Sequence, residues 1–281
     1  MQTFLTSAEI TRWAEVHRAA GRTVGLVPTM GFLHAGHVSL MTRLREEVDA
    51  LAVSIFVNPL QFAPGEDLAV YPRDPEGDAA KCASAGVDAL FVPEDFYPED
   101  FSTSVGVSGL TAGLCGASRP THFGGVTTVV ARLFGVTRCD VACFGEKDFQ
   151  QLMVIRRMVR DLALPVRIVP GPLVRDADGV ALSSRNKYLS AAERERARSL
   201  HQALFAIRDA VSSGERSVAR LLELGRGHID CDRLDYLELV DSETLRPAER
   251  VDRPARALGA AFYGKTRLID NVGVGPELSW T

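Results

Sequence analysis

Thr23-Val24-Gly25-Leu26-Val27-Pro28-Thr29-Met30-Gly31-Phe32-Leu33-His34-Ala35-Gly36-His37 is the stretch from which the rest of the chain is read. Thr23–Pro28 is a short run of mostly apolar residues with no polar alternation, the pattern of a strand buried on both faces of a parallel sheet. A helix is expected over 36–47, so Met30–His37 is the turn from strand to helix. In open parallel sheets ligands sit beyond the carboxyl ends of strands, where this turn lies. The start of a helix offers unpaired backbone N–H groups and the positive end of its dipole, a site for a phosphate. Gly31 and Gly36 allow the main chain to approach a ligand closely. His34 and His37 are three apart and can face one side of a first helical turn. Two imidazoles so placed can hydrogen-bond phosphate oxygens and, if protonated, offset charge on bridging and leaving oxygens. Two other readings of the pair stay open: structural turn histidines, and a zinc site, although no Glu stands in an HExxH pattern and no Cys or His cluster supplies partners.

Working outward, further strands are expected over 50–57, 88–92, 141–144 and 166–169, and helices over 75–85, 126–136 and 148–162. Strands alternating with helices imply right-handed crossovers and a doubly wound, Rossmann-like α/β domain. After Pro172 the pattern changes. Residues 191–213 and 217–226 read as Glu- and Arg-rich helices, and 234–240 and 257–271 as strands, helices and strands no longer interleaved. That order predicts a smaller α+β domain, with the two domains spanning 1–173 and 174–281. Between the strands of the first domain lies Ser104–Gly125, with six glycines and Pro120. Such a stretch disfavours a stable helix and reads either as a mobile cover or as a long surface connection.

The 281 residues carry a net charge of -4, with 46% hydrophobic and 24% charged side chains, close to the globular average, which argues against disorder. No Lys/Arg block points to nucleic acid or an acidic membrane. No apolar run reaches the roughly 18 residues that span a bilayer, and Met1–Ala20 lacks the apolar core of a signal peptide. Five cysteines, an odd number with no CxxC pair, read as thiols of a reducing compartment, so a cytoplasmic address is expected.

The His-x-Gly-His turn after the first strand resembles the nucleotidylyltransferase superfamily. Within it the fuller string resembles the pantoate–β-alanine ligase (pantothenate synthetase) family. Three further blocks resemble that family in the same order: Ser54-Ile55-Phe56-Val57-Asn58-Pro59-Leu60-Gln61-Phe62, Phe144-Gly145-Glu146-Lys147-Asp148-Phe149-Gln150-Gln151-Leu152, and Leu182-Ser183-Ser184-Arg185-Asn186. Tyr71-Pro72-Arg73 and Arg267-Leu268-Ile269-Asp270-Asn271 also fit, and the likeness covers nearly the whole chain. Departures are few: Ala35 stands where an acidic residue is usual, Thr121 where glycine is usual, and Gly124 where some relatives have Arg.

The resemblance implies an enzyme that condenses pantoate with β-alanine at the expense of ATP, through pantoyl adenylate, giving pantothenate, AMP and pyrophosphate. It implies an ATP site of Met30, Gly31, Phe32, Leu33, His34, Ala35, Gly36 and His37, of Gly145, Glu146, Lys147 and Asp148, and of Val174, Leu182, Ser183, Ser184 and Arg185. Gln61, Gln151 and Arg119 would bind pantoate, and Gln61 would also meet β-alanine. His37, His34, Lys147 and Arg185 would carry the catalytic charge work. Mg²⁺ would arrive with ATP, with no protein ligand assigned, and the family is typically homodimeric. The residues themselves agree with these roles. Gln61 can donate and accept, Lys147 at a helix start opposes the dipole unless an anion is near, and Arg185 can fork onto phosphate. On a helix Gln150 and Gln151 point about 100° apart, so only one faces a substrate. Competing functional readings are a nucleotidylyltransferase that joins a nucleotide to a phosphorylated alcohol, a nucleotide-binding module without turnover, and a zinc hydrolase.

Overall fold

The computed structural model describes residues 1–280. The first ordered elements are β1 (Gln2–Phe4), α1 (Ser7–Ala19), β2 (Val24–Thr29), α2 (Ala35–Arg45), β3 (Ala50–Ile55), α3 (Pro75–Ser84) and β4 (Ala89–Phe91). They are followed by a short α4 (Cys115–Ser118), α5 (His122–Thr137), β5 (Val141–Gly145), α6 (Phe149–Asp161) and β6 (Arg167–Gly171). The strands form one parallel sheet in the order β1-β4-β3-β2-β5-β6. Successive strands β2, β3 and β4 run one way from the centre and β5 and β6 the other. The order therefore reverses between β2 and β5, where Gly25 pairs with Val141 and Leu26 with Ala142. A crevice opens past the carboxyl ends of strands at such a reversal.

The sheet is apolar because both faces are covered. Val24, Leu26 and Val27, Ala50 to Val53, Ala89 to Phe91 and Val141 to Phe144 are all buried. Leu40, Met41 and Leu44 of α2 pack on Val27, Leu51 and Val53 in one continuous core. Each such side chain contributes about 1.5–3 kcal/mol on burial. Helix starts are written into the sequence as caps. Thr6 and Glu9 form a capping box on α1, and Asp74 caps α3 ahead of Pro75.

The remainder of the chain is α7 (Ala191–Ser212), α8 (Val218–His228), and the antiparallel sheet of β7 (Arg233–Asp241), β8 (Ala255–Tyr263) and β9 (Thr266–Val274). Leu200, Leu204, Ile207 and Val211 of α7 bury against Leu237, Leu239 and Ala257 of this sheet. Ser190 and Glu193 cap α7 reciprocally. The chain divides into two compact units. One holds Met1–Thr111, Arg119–Glu146 and Gln151–Pro172; the other holds Ala112–Ser118, Lys147–Gln150 and Leu173–Thr281.

Two sequence expectations need correction. Edge strand β1 was absent from the expected strands; at three residues it is too short to show a period. The glycine-rich stretch was expected to resist helix, yet Gly124 and Gly125 lie in α5. The cause is a close approach: a Cβ on Gly125 would stand 2.2 Å from the carbonyl oxygen of Leu60. Part of the same stretch is fastened within the second unit. The Cys115 sulfur meets the Tyr236 hydroxyl at 3.2 Å, Ser118 donates to Asp235 at 2.9 Å, and Arg267 donates to the same Asp235 carboxylate at 2.7 Å.

Candidate active site

The turn after β2 is held in an unusual backbone shape. Gly31 has φ +83° and Phe32 φ +50°, consecutive residues in the left-handed region. This shape turns the successive N–H groups of Phe32 and Leu33 toward one anion, while the Gly31 N–H goes to the Thr29 hydroxyl at 3.2 Å. Asp78 of α3 supplies that anion: its carboxylate accepts from Phe32 at 2.7 Å and from Leu33 at 2.6 Å, and the side chain is 2% exposed. Leu33 is thereby sunk into the core, and Thr29 ties the turn to β3 by donating to the Ser54 carbonyl at 2.8 Å.

The turn delivers His34 as the N-cap of α2. Its Nδ1 accepts from Gly36 at 3.2 Å, while His37 Nδ1 accepts from the His34 amide at 3.2 Å. The two rings lie 4.1 Å apart at 39°. A backbone N–H only donates, so each neutral ring keeps its proton on Nε2. The pair thus caps the helix on one side of each ring and carries an N–H donor on the other.

Beyond β3, Asn58 caps a 3-10 turn over Pro59–Gln61. Asn58 Nδ2 donates to the Gly125 carbonyl at 3.0 Å and to Gln61 Oε1 at 3.1 Å. Asn58 Oδ1 accepts from Tyr97 at 2.8 Å and from the Leu60 amide at 3.3 Å. The carbonyl of Gly125 can only accept and the amide of Leu60 can only donate, so the Asn58 side chain has one orientation. That orientation occupies one lone pair of the Gln61 oxygen, while Gln61 Nε2 meets Met30 Sδ at 3.1 Å. Burial pushes the Tyr97 phenol well above its ordinary range and keeps it a neutral donor. Gln61 Oε1 keeps a second lone pair, so the side chain can still both donate and accept.

Arg119 and His122 close the far side of this turn. Arg119 forks onto Glu66 with two bonds of 2.7 Å and reaches the Gln61 carbonyl at 3.3 Å; His122 Nδ1 lies 3.0 Å from the same carbonyl. Burial raises the Glu66 carboxyl, but the Arg119 bonds and charge and the Ala63 amide outweigh it and hold the group below the usual carboxylate range. Gln151 is half-buried at the start of α6, whereas Gln150 is buried and donates to the Gly113 carbonyl at 2.9 Å.

In the second unit, Lys147 sits in a 3-10 turn over Glu146–Asp148 rather than in the helix proper, its ammonium 3.7 Å from Asp148. Val174 and Leu182 are partners in a small hairpin, Leu182 donating to the Val174 carbonyl at 3.0 Å around a turn at Gly179. The hairpin runs into Ser183, whose hydroxyl caps the 3-10 turn over Ser184–Tyr188 by accepting the Arg185 amide at 3.3 Å. Ser184 is buried and Arg185 half-buried. Among the described residues no group of three or more His, Cys, Asp or Glu side chains is arranged to hold a metal ion, and no helix is long and apolar enough to cross a membrane.

Asp78, Glu66 and Tyr97 were missed in the sequence. Asp78 left one trace: it is four residues from buried Cys82 on α3, so an acid stood on the apolar face of a helix. Glu66 and Tyr97 sit in irregular segments and left none.

Residues 2–273 match the family described as Pantoate-beta-alanine ligase. The pantothenate synthetase of Heliobacterium modesticaldum is 52% identical over 95% of this chain and 96% of its own length. The crystal structure of pantothenate synthetase from Thermus thermophilus superposes with a TM-score of 0.92 at 49% identity, covering 98% of this chain and all of that one. A pantoate-beta-alanine ligase of Francisella tularensis, solved in complex with Beta-gamma ATP and Beta-alanine, gives a TM-score of 0.79 at 32% identity, covering 97% of each chain. The chain belongs to the pantoate–β-alanine ligase family.

Proposed function

We propose that the chain condenses pantoate with β-alanine and ATP to give pantothenate, AMP and pyrophosphate. A pantoate carboxylate oxygen attacks the α-phosphorus of ATP; the bond from that phosphorus to the pyrophosphate oxygen breaks, leaving pantoyl adenylate. The neutral amine of β-alanine then attacks the acyl carbon, loses a proton and expels AMP. No protein nucleophile is required, so catalysis rests on positioning and electrostatics. The single observation that carries the reading is the His34–His37 pair, two imidazoles each fixed by a backbone amide on Nδ1 at the start of the helix that follows the central strand.

In this reading Met30–His37, Gly145–Asp148, Val174 and Leu182–Arg185 bind ATP. His37 assists the departing pyrophosphate with His34 beside it, and Lys147 and Arg185 offset charge as it moves to the leaving oxygens. Gln61 gives its N–H to an oxygen of pantoate and lies by the incoming β-alanine, while Gln151 meets pantoate from α6. Arg119 has its fork on Glu66, so a pantoate contact must come from its other donors. Mg²⁺ comes as part of the ATP substrate and takes few protein ligands. The enzyme works as a cytoplasmic homodimer.

The test is pyrophosphate release from ATP with pantoate, with and without β-alanine. Expected is about one equivalent per site without β-alanine and continuous turnover with it. Release that ignores pantoate, or ADP in place of AMP, contradicts the reading.

A further inference from the structure

β9 holds two polar residues in succession, Asp270 and Asn271, each only 4% exposed. Successive side chains of a strand point to opposite faces of its sheet, and here each face fastens a different piece of chain. On one, Asp270 takes both terminal nitrogens of Arg175, at 2.6 and 2.8 Å. Arg175 also donates to the Gly179 carbonyl at 3.0 Å, across the hairpin that leads into Leu182–Arg185, and its guanidinium lies over the Phe205 ring of α7. On the other face, Asn271 Nδ2 donates to the carbonyl of Lys147 at 3.0 Å. The main chain of Asn271 is itself pinned, its amide to Asp270 Oδ1 at 2.6 Å and its carbonyl to Arg175 at 3.3 Å.

The bond to Lys147 has a physical purpose that packing alone would not serve. A lysine ammonium rides on four rotatable carbons, so where its charge falls depends on where its backbone is held. The carbonyl of Lys147 lies in the 3-10 turn that leads into α6, ahead of the regular helix. A carbonyl only accepts, so the Asn271 amide is oriented with its nitrogen inward, and a residue without a donor would leave that carbonyl unpaired.

We infer that Asn271 is a positioning residue for adenylation, which sets the backbone of Lys147 and, through the adjoining Asp270–Arg175 pair, ties it to the strand that also steadies the hairpin leading into Leu182–Arg185. This rests on the proposed role of Lys147 at the ATP phosphates. A misplacement on the scale of 1 Å costs about a hundredfold at most, and that sets the scale of the expected effect.

The experiment is a double-mutant cycle on the full chain, read as pantoate-dependent pyrophosphate release. Asn271→Ala is expected to lower kcat/KM for ATP by about tenfold to a hundredfold and to leave KM for β-alanine within about twofold. Placed on Lys147→Ala, the same substitution is expected to cost less than about threefold, because its effect passes through Lys147. Asn271→Leu keeps the volume and lacks the donor; it reads the same cycle if the alanine variant does not fold. Equal losses with and without Lys147, or an unchanged kcat/KM for ATP in a folded variant, overturn the inference. A Lys147→Ala enzyme with normal ATP kinetics would overturn it from beneath, by removing the ATP role itself, and the cycle tells that outcome apart.

Discussion

His37 accepts the amide proton of His34 on Nδ1 at 3.2 Å, and His34 Nδ1 accepts in turn from Gly36 at 3.2 Å. Two side chains that would serve a phosphate are thus also the cap of α2. The capping fixes which nitrogen of each ring is protonated, and this couples helix stability to chemistry at one pair of residues. Long-range ¹⁵N–¹H correlation spectra of the imidazoles should show both neutral rings as the Nε2–H form. His37→Ala should lower adenylation by about 10²–10³-fold while costing only the cap, about 0.5–2 kcal/mol. Near-normal turnover in the folded variant would remove His37 from the reaction.

Asp78 should be worth more than an ordinary buried acid. Asp78→Asn places an NH₂ group where two amide donors, Phe32 and Leu33, converge. Loss of one charge-assisted bond costs about 1.5–3 kcal/mol, read as a lower urea midpoint at unchanged slope. Because the turn leads straight into His34, KM for ATP should rise about tenfold, equivalent to roughly 1.4 kcal/mol. Lower stability with unaltered ATP kinetics would make Asp78 a residue of the fold alone.

Tyr97→Phe removes the donor to Asn58 Oδ1 and keeps the ring. A neutral hydrogen bond is worth about 0.5–1.5 kcal/mol, so KM for pantoate should rise about twofold to tenfold with KM for ATP unchanged. Burial holds the phenol above its ordinary range, so this contribution should be flat between about pH 6 and 9. Equal changes in both KM values would show that the Tyr97–Asn58–Gln61 chain does not act through Gln61.

Glu66 carries a pH signature. Its carboxyl is held below the usual range in the folded protein, so the unfolded chain binds more protons there as acid is added. The stability it contributes is present above about pH 4.5, the ordinary value, and is lost as pH falls through the depressed folded value. Glu66→Gln should therefore cost about 1 kcal/mol at pH 7, solvent screening included, and progressively less toward pH 3. A urea-midpoint difference independent of pH would show that the Arg119–Glu66 fork contributes no charge-dependent stability.

The parallel sheet was legible because a strand buried on both faces needs an unbroken apolar run, and Val24–Val27, Ala50–Val53 and Val141–Phe144 supply one each. The motif turns were legible because strand ends, glycines and ring nitrogens cluster within ten residues. What packs those turns was not. Asp78 lies 45 residues from Leu33, Tyr97 39 from Asn58, and Asn271 124 from Lys147. Each pairing is made by the crossing of elements, and nothing local announces it. Gly125 is the clearest case: in sequence it argued against a helix, and in the fold it is what lets a helix pass the Leu60 carbonyl.

The proposed chemistry routes one carboxylate oxygen of pantoate onto the α-phosphorus of ATP and leaves it there. Turnover of pantoate labelled with ¹⁸O in both carboxylate oxygens, followed by mass spectrometry of the products, reads that oxygen directly. One labelled oxygen in AMP and one in the new amide carbonyl is the predicted result. Label in orthophosphate, or AMP without label, would contradict an acyl adenylate.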